Sequence, residues 1–235
     1  MTTKEILKEL QKYGDERTKN TLMNHGAREP FFGVKVADLK KILKKTKKNH
    51  ELSLELYSTG NSDAMYLAGL MADEKQITKA QLEDWVDKAY WSYLSEYVVP
   101  WVAAETEYGF ELGQKWIKSD KETIASAGWG TLAYYAAVNE DEKLDTKVYI
   151  ELLNTVKKEI HGAQNRVRYT MNGFVIAVGT YIETLTEKAK EVAKEIGKVS
   201  VDMGGTACKV PLADEYIDKA IDKGRIGKKR KTARC

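Results

Sequence analysis

The sequence predicts an all-α fold, a HEAT-like solenoid of stacked antiparallel helix pairs, and three observations lead there. Apolar residues recur at i, i+3, i+4 and i+7 over long stretches, the pattern of amphipathic helices. Only three prolines, Pro30, Pro100 and Pro211, interrupt them, and strand signals are weak, with "KVSVDMG" the best candidate. Finally, "AMYLAGLMA", "TIASAGWGTLA" and "RYTMNGFVIAVG" each place a glycine (Gly69, Gly128, Gly173) mid-helix before a bulky apolar residue. Such a glycine costs about 1 kcal/mol relative to alanine, so three at equivalent places point to close helix crossings. Their spacings, 59 and 45 residues, are irregular, as in HEAT-like repeats.

In chain order, helices are expected near 3–13, 15–25, 35–48, 50–58, 62–73, 78–89, 91–104, 106–118, 120–138, 145–159, 163–180, 183–196 and 210–222. "LEDWVDKAYW" sets Leu82, Trp85, Val86 and Ala89 on one face, and "LTEKAKEVAKEI" does the same with Leu185, Ala189, Val192 and Ile196. "SDKETIASA" and "LDTKVYIELL" begin with N-cap residues. So many short helices with brief links exclude a four-helix bundle and favour repeated pairs. Residues 1–200 form the expected array. Residues 201–235 form an extension: a glycine-rich turn, one helix and a basic tail.

Composition narrows the function. With 31% charged and 43% hydrophobic residues the chain is globular, and no apolar run is long enough to cross a bilayer. "MTTKEILKEL" has no cationic patch before an apolar stretch, so no signal peptide is evident. Cys208 and Cys235 offer neither a disulfide framework nor metal-ligand spacing, and a reducing cytoplasm is the expected compartment. The last thirteen residues, "KGRIGKKRKTARC", hold seven of the 38 Lys and Arg and no acid, leaving 31 against 35 acids, formally −4, for the rest. A basic tail on an acidic body suits a polyanion, or is a solvated terminus.

No Walker loop, dinucleotide fingerprint, HExxH or GxSxG occurs, and His25, His50 and His161 are scattered, so neither a cofactor nor a metal is expected. "DMGGTACK" is either a phosphate nest with Lys209 or a plain turn. Lys35, Lys40, Lys41, Lys44, Lys45 and Lys48 gather on one predicted helix as a basic stripe, suited to phosphate tracking or to a solvated face. Arg166 and Arg168 open the helix that carries Phe174 and could meet phosphate, and Lys228, Lys229, Arg230 and Lys231 could do so from the tail.

Four stretches resemble the AlkD-like DNA alkylation repair family of HEAT-like DNA glycosylases: "PFFGVKVADLKKILK" (30–44), "AYWSYLSEYVVPWVA" (89–103), "KWIKSDKETIASAGWGTLAY" (115–134) and "RVRYTMNGFVIAVGTYI" (166–182). The resemblance implies duplex DNA, possibly damaged, as partner and hydrolysis of the N-glycosyl bond of N3- or N7-alkylated purines. These cationic bases are ready leaving groups. A carboxylate and aromatic faces then stabilise the charge developing on the sugar, and the nucleotide stays stacked in the duplex rather than flipped.

Carried onto this chain, the resemblance sets Trp91 as the first aromatic of the lesion pocket and Phe174 as the second. Trp129 is a further pocket candidate, although its place beside the Gly128 crossing favours packing. The catalytic aspartate position holds Ser95, which cannot stabilise a cation as a carboxylate does. Glu96 follows one residue later, about 140° round an α-helix from Trp91, and is expected to point elsewhere unless the helix is locally distorted. The family's arginine falls near Ser126, and residues 29–165 contain no arginine. The expectation is a DNA-binding protein whose glycosylase activity is weak, altered or absent. Its rivals are an active glycosylase using Glu96 or a displaced acid such as Glu105 or Asp120, and a non-enzymatic RNA- or protein-binding scaffold. The oligomeric state stays open.

Overall fold

The computed structural model describes residues 1–234; Cys235, the second cysteine, lies outside the described residues. Among these, thirteen α-helices follow one another: α1 (Thr3–Tyr13), α2 (Glu16–Asn24), α3 (Val36–Thr46), α4 (His50–Ser58), α5 (Ser62–Met71), α6 (Lys79–Lys88), α7 (Val99–Ala104), α8 (Gly109–Trp116), α9 (Glu122–Val138), α10 (Thr146–Glu159), α11 (Asn165–Tyr181), α12 (Thr186–Ile196) and α13 (Ala213–Asp222). The protein is a HEAT-like helical repeat. No helix among the described residues is long and apolar enough to cross a membrane.

Local chemistry sets the starts. Thr2 and Thr78 form capping boxes with Glu5 and Gln81. Asp15, Asn49, Asn61 and Asp145 accept amide hydrogens at the heads of α2, α4, α5 and α10. The expected cap of α9 differs: Lys121 occupies that place without a side-chain hydrogen bond. "KVSVDMG" forms no strand. It is irregular chain, anchored by buried Val199 and by Asn165, which bonds the Asp202 backbone in both directions.

The helices form two layers. α5, the Tyr93–Val98 turn with α7, then α9 and α11 touch in succession, and α4, α6, α8, α10 and α12 back them, while α13 closes the end against α11 and α12. Two repeat glycines stand at close crossings. A Cβ on Gly69 would lie 2.5 Å from Val98 Cγ1, and one on Gly128 would lie 2.5 Å from the Ile117 backbone nitrogen. Gly173 breaks the expected pattern, because a Cβ there meets nothing within 4 Å. Gly128→Ala should therefore cost roughly 1–3 kcal/mol by overpacking, while Gly173→Ala should stabilise by up to about 1 kcal/mol through helix propensity. Urea denaturation of both variants checks this, and equal effects would refute it.

Candidate functional site

The stretch expected as one helix over 91–104 is not uniform. Tyr93–Val98 winds as a π turn, and the Val99 amide reaches back to the Leu94 carbonyl. Pro100 gives a physical reason: without an N–H it cannot close the α-helical bond to the Glu96 carbonyl, and the preceding turn widens. The wider turn carries Ser95 and Glu96 inward, so neither is an exposed helix residue: they are 1% and 3% exposed. Ser95 Oγ donates to the Trp91 carbonyl at 3.2 Å. Glu96 meets Arg166 in a two-pronged ion pair, Nε to Oε1 and Nη2 to Oε2, both 2.6 Å. Burial lifts the Glu96 carboxyl above its ordinary range, and the guanidinium pulls it part of the way back.

Arg166 sits in the first turn of α11, where a cation is disfavoured by the helix dipole. Its surroundings offset this: besides Glu96, its backbone amide donates to Glu122 Oε1 at 2.8 Å, and its guanidinium lies 4.5 Å from the Tyr169 ring centre. The expectation of a free phosphate ligand is thereby corrected for Arg166, whose fork is occupied by carboxylate. Arg168 has no acidic partner among the described residues.

Around the pair lies a groove in two parts. A cavity of about 220 Å³ is walled by Tyr97, Tyr134, Tyr169 and Tyr181 over a floor of Gly130, Ala133, Gly173 and Ala177, with Glu96 and Arg230 also lining it. Here Gly173 has its explanation: it keeps the floor open. Burial pushes the Tyr134 phenol up to about 12 and raises Tyr97 further, so both remain neutral donors. A wider recess of about 640 Å³ adjoins it through Tyr97 and Tyr169, and is bounded by Arg166, residues 21–26, Tyr93 and the 202–209 loop. There the end of α2 meets the 202–209 loop: Gly204, at φ +68°, packs against the Asn24 carbonyl so closely that a Cβ would collide. The "DMGGTACK" segment is a largely exposed turn, with Asp202 Oδ1 accepting from Gly204 N, and Cys208 is exposed.

The aromatics expected in a lesion pocket lie elsewhere. Phe174 is fully buried, edge-on to Trp129 at 5.1 Å and stacked on Tyr149 at 5.8 Å. Phe174 and Trp129 are core side chains. One residue is about 100° of helix, enough to turn Phe174 inward while Tyr169, Gly173 and Ala177 face the groove. Trp91 is 5% exposed, bonded through Nε1 to Ser62 Oγ, and covered by Tyr93 at 4.9 Å. From there an aromatic ladder, Tyr93, Tyr97, Trp101 and Tyr134, runs along the inner layer. These tyrosines escaped the sequence reading, although Tyr169-x3-Gly173-x3-Ala177-x3-Tyr181 is a legible i+4 stripe.

The cations also divide. Lys41, Lys45 and Lys48 pair with Asp38, Glu9 and Glu74, leaving Lys35, Lys40 and Lys44 without an ion pair among the described residues. The tail is neither loose nor wholly free. It crosses the C-terminal ends of α11, α9 and α7, where carbonyls and helix dipoles favour cations. Gly227 N donates to Thr180 O, Arg230 N to Ala137 O, and Lys229 Nζ to Ala136 O, Tyr181 O and Asp141. Thr232 and the Ala233 amide reach Glu105, and Arg234, 8% exposed, bridges Glu74 and Glu105 at 3.2 Å each. Lys229 is thus spent on the fold, whereas Lys228 and Lys231 remain exposed. Glu105, one of the displaced acids considered above, anchors this strap.

Comparison with known proteins gives three results. The sequence profile of a family described as "DNA alkylation repair enzyme" matches residues 6–197. Two uncharacterized Listeria proteins, Lmo0209 of L. monocytogenes and Lin0241 of L. innocua, are 38% and 37% identical over 218 residues, covering 90% of this chain and 94% of theirs. A solved structure, described as "a new family of proteins related to the HEAT-like repeat DNA glycosylases with affinity for branched DNA structures", superposes over the whole of both chains with a TM-score of 0.91 and 40% identity.

Proposed function

The chain belongs to the DNA alkylation repair family, and from that premise we propose that it is a DNA-binding protein that prefers branched DNA and excises alkylated bases weakly or not at all. The observation that carries the second half is the Glu96–Arg166 pair. A glycosylase needs a carboxylate free to face a developing sugar cation. Glu96 has both oxygens engaged by one guanidinium. Ser95, at the family's aspartate position, is turned onto a backbone carbonyl. The preference for branched DNA rests on the relative of known structure, which matches over its full length.

In this reading the tyrosine groove meets sugars and bases, and Lys35, Lys40, Lys44, Arg168, Lys228 and Lys231 hold phosphates. Binding should weaken steeply with salt, as counterion release requires. The test titrates linear duplex, four-way junction and RNA at two salt concentrations, with release of 3-methyladenine and 7-methylguanine followed in parallel. Tighter junction binding with base release at background is expected. Base release that Glu96→Gln abolishes would instead establish the catalytic reading of Glu96. Absence of DNA binding at low salt would favour a protein partner.

A further inference from the structure

Beyond the groove, a second recess of about 630 Å³ opens between the end of α11, α13 and the first part of the tail. Its polar lining is one-sided. Lys219 and Lys223 come from the last turn of α13 and its cap, and Arg225, Lys228 and Arg230 come from the chain that follows; no carboxylate lines it. The one ion pair these cations make among the described residues is loose, Lys219 Nζ to Glu215 at 3.8 Å. Lys223, Arg225 and Lys228 have no ion pair among the described residues. Tyr216 stands beside them, 48% exposed, with Lys219 at 4.7 Å from its ring centre. The C-terminal dipole of α13 offsets part of the mutual repulsion of these cations, and an anionic ligand would offset more.

We propose that this recess is a second DNA-backbone site, which takes the phosphodiester strand of another arm when the groove holds the first. The proposal rests on the DNA-binding reading above and extends it to residues outside the groove. Two features select a nucleic-acid strand over a single small anion. The cations are spread along about a turn of helix and the chain after it rather than converging on one point, and an exposed aromatic ring among them offers a face to a sugar or unpaired base. Continuity selects the second arm: Tyr181 and Arg230 line both this recess and the tyrosine cavity. A strand leaving the groove therefore arrives here, and a linear duplex lying in the groove alone has no chain to place in it.

The test compares Kd for a four-way junction and for a linear duplex of the same arm sequence, from 50 to 200 mM salt, using the full chain. Lys219→Gln/Lys223→Gln removes two exposed cations. Junction Kd should rise roughly tenfold and the junction salt slope should fall by about 2, with duplex Kd unchanged within about twofold. Tyr216→Ala should weaken the junction alone. Lys147→Gln/Lys158→Gln, on α10 in the other layer, controls for net charge, and thermal unfolding confirms that each variant is folded. Unchanged junction binding by the first variant, equal losses on junction and duplex, or an equal loss in the control overturns the second site while leaving DNA binding intact. A wild-type protein that binds neither DNA overturns both.

Discussion

Arg166→Ala should destabilise the protein by about 3–5 kcal/mol, because it abandons an ionised carboxylate in the interior. Glu96 is 3% exposed and receives both of its charged hydrogen bonds from Arg166. Without that fork the carboxylate must take up a proton or draw in water. Glu96→Gln should cost less, since an amide keeps one acceptor for the guanidinium and Arg166 is partly solvated. Replacing both partners with apolar residues, Glu96→Leu/Arg166→Met, should cost clearly less than Arg166→Ala alone, because desolvation of two charges disappears with the pair. Urea unfolding of the wild type, Glu96→Gln, Arg166→Ala and the combined Glu96→Gln/Arg166→Ala closes a double-mutant cycle. Additive effects would mean that the pair contributes nothing as a pair. The same variants separate stability from chemistry: a Glu96 held only for structure changes the midpoint of unfolding and leaves junction affinity, measured on folded protein, unchanged.

Asp63→Ala is expected to be of similar size, about 3–5 kcal/mol, for a different reason. Asp63, 4% exposed in the first turn of α5, accepts three successive backbone amides: Phe32 at 2.6 Å, Gly33 at 3.0 Å and Val34 at 3.1 Å. An unpaired buried donor costs roughly 1–3 kcal/mol, and alanine strands three at once, two of them on buried residues. Asp63→Asn keeps one carbonyl oxygen and should fall between. Burial raises the Asp63 carboxyl although the three amides draw it down. A midpoint shift for Asp63→Ala no larger than that of an exposed substitution would show that the 31–34 loop stands without it. The segment that Asp63 ties down, "FFGV", is the start of the stretch that carried the family resemblance.

How far the site was legible follows the range of the interactions involved. The helices were, since period and caps act within a few residues: Leu82, Trp85, Val86 and Ala89 are all buried as their spacing required. The family was also legible, because the stretches that carry the resemblance fall within residues 6–197 that its profile matches. The destination of Glu96 was not. It depends on a π turn set beside Pro100 and on a guanidinium 70 residues away. Phe174 and the groove-facing Gly173 differ by a fraction of a turn, and residues 173–178 of α11 are apolar on every side, so they mark no single inward face. The tail misled through composition alone, since a run of cations has the same sequence signature whether it meets phosphate, water or the ends of helices.

By itself, then, the sequence determined the helical repeat and the family, both of which are written in local pattern and residue identity. Tertiary structure alone decided that Glu96 is buried against Arg166, that tyrosines rather than Phe174 and Trp129 face the groove, and that five of the twelve candidate cations, Lys41, Lys45, Lys48, Arg166 and Lys229, are paired with acids of the protein itself. The reason is physical: charge pairing and side-chain direction are settled by neighbours brought close by stacking, and a rotation of one residue is enough to exchange wall for core.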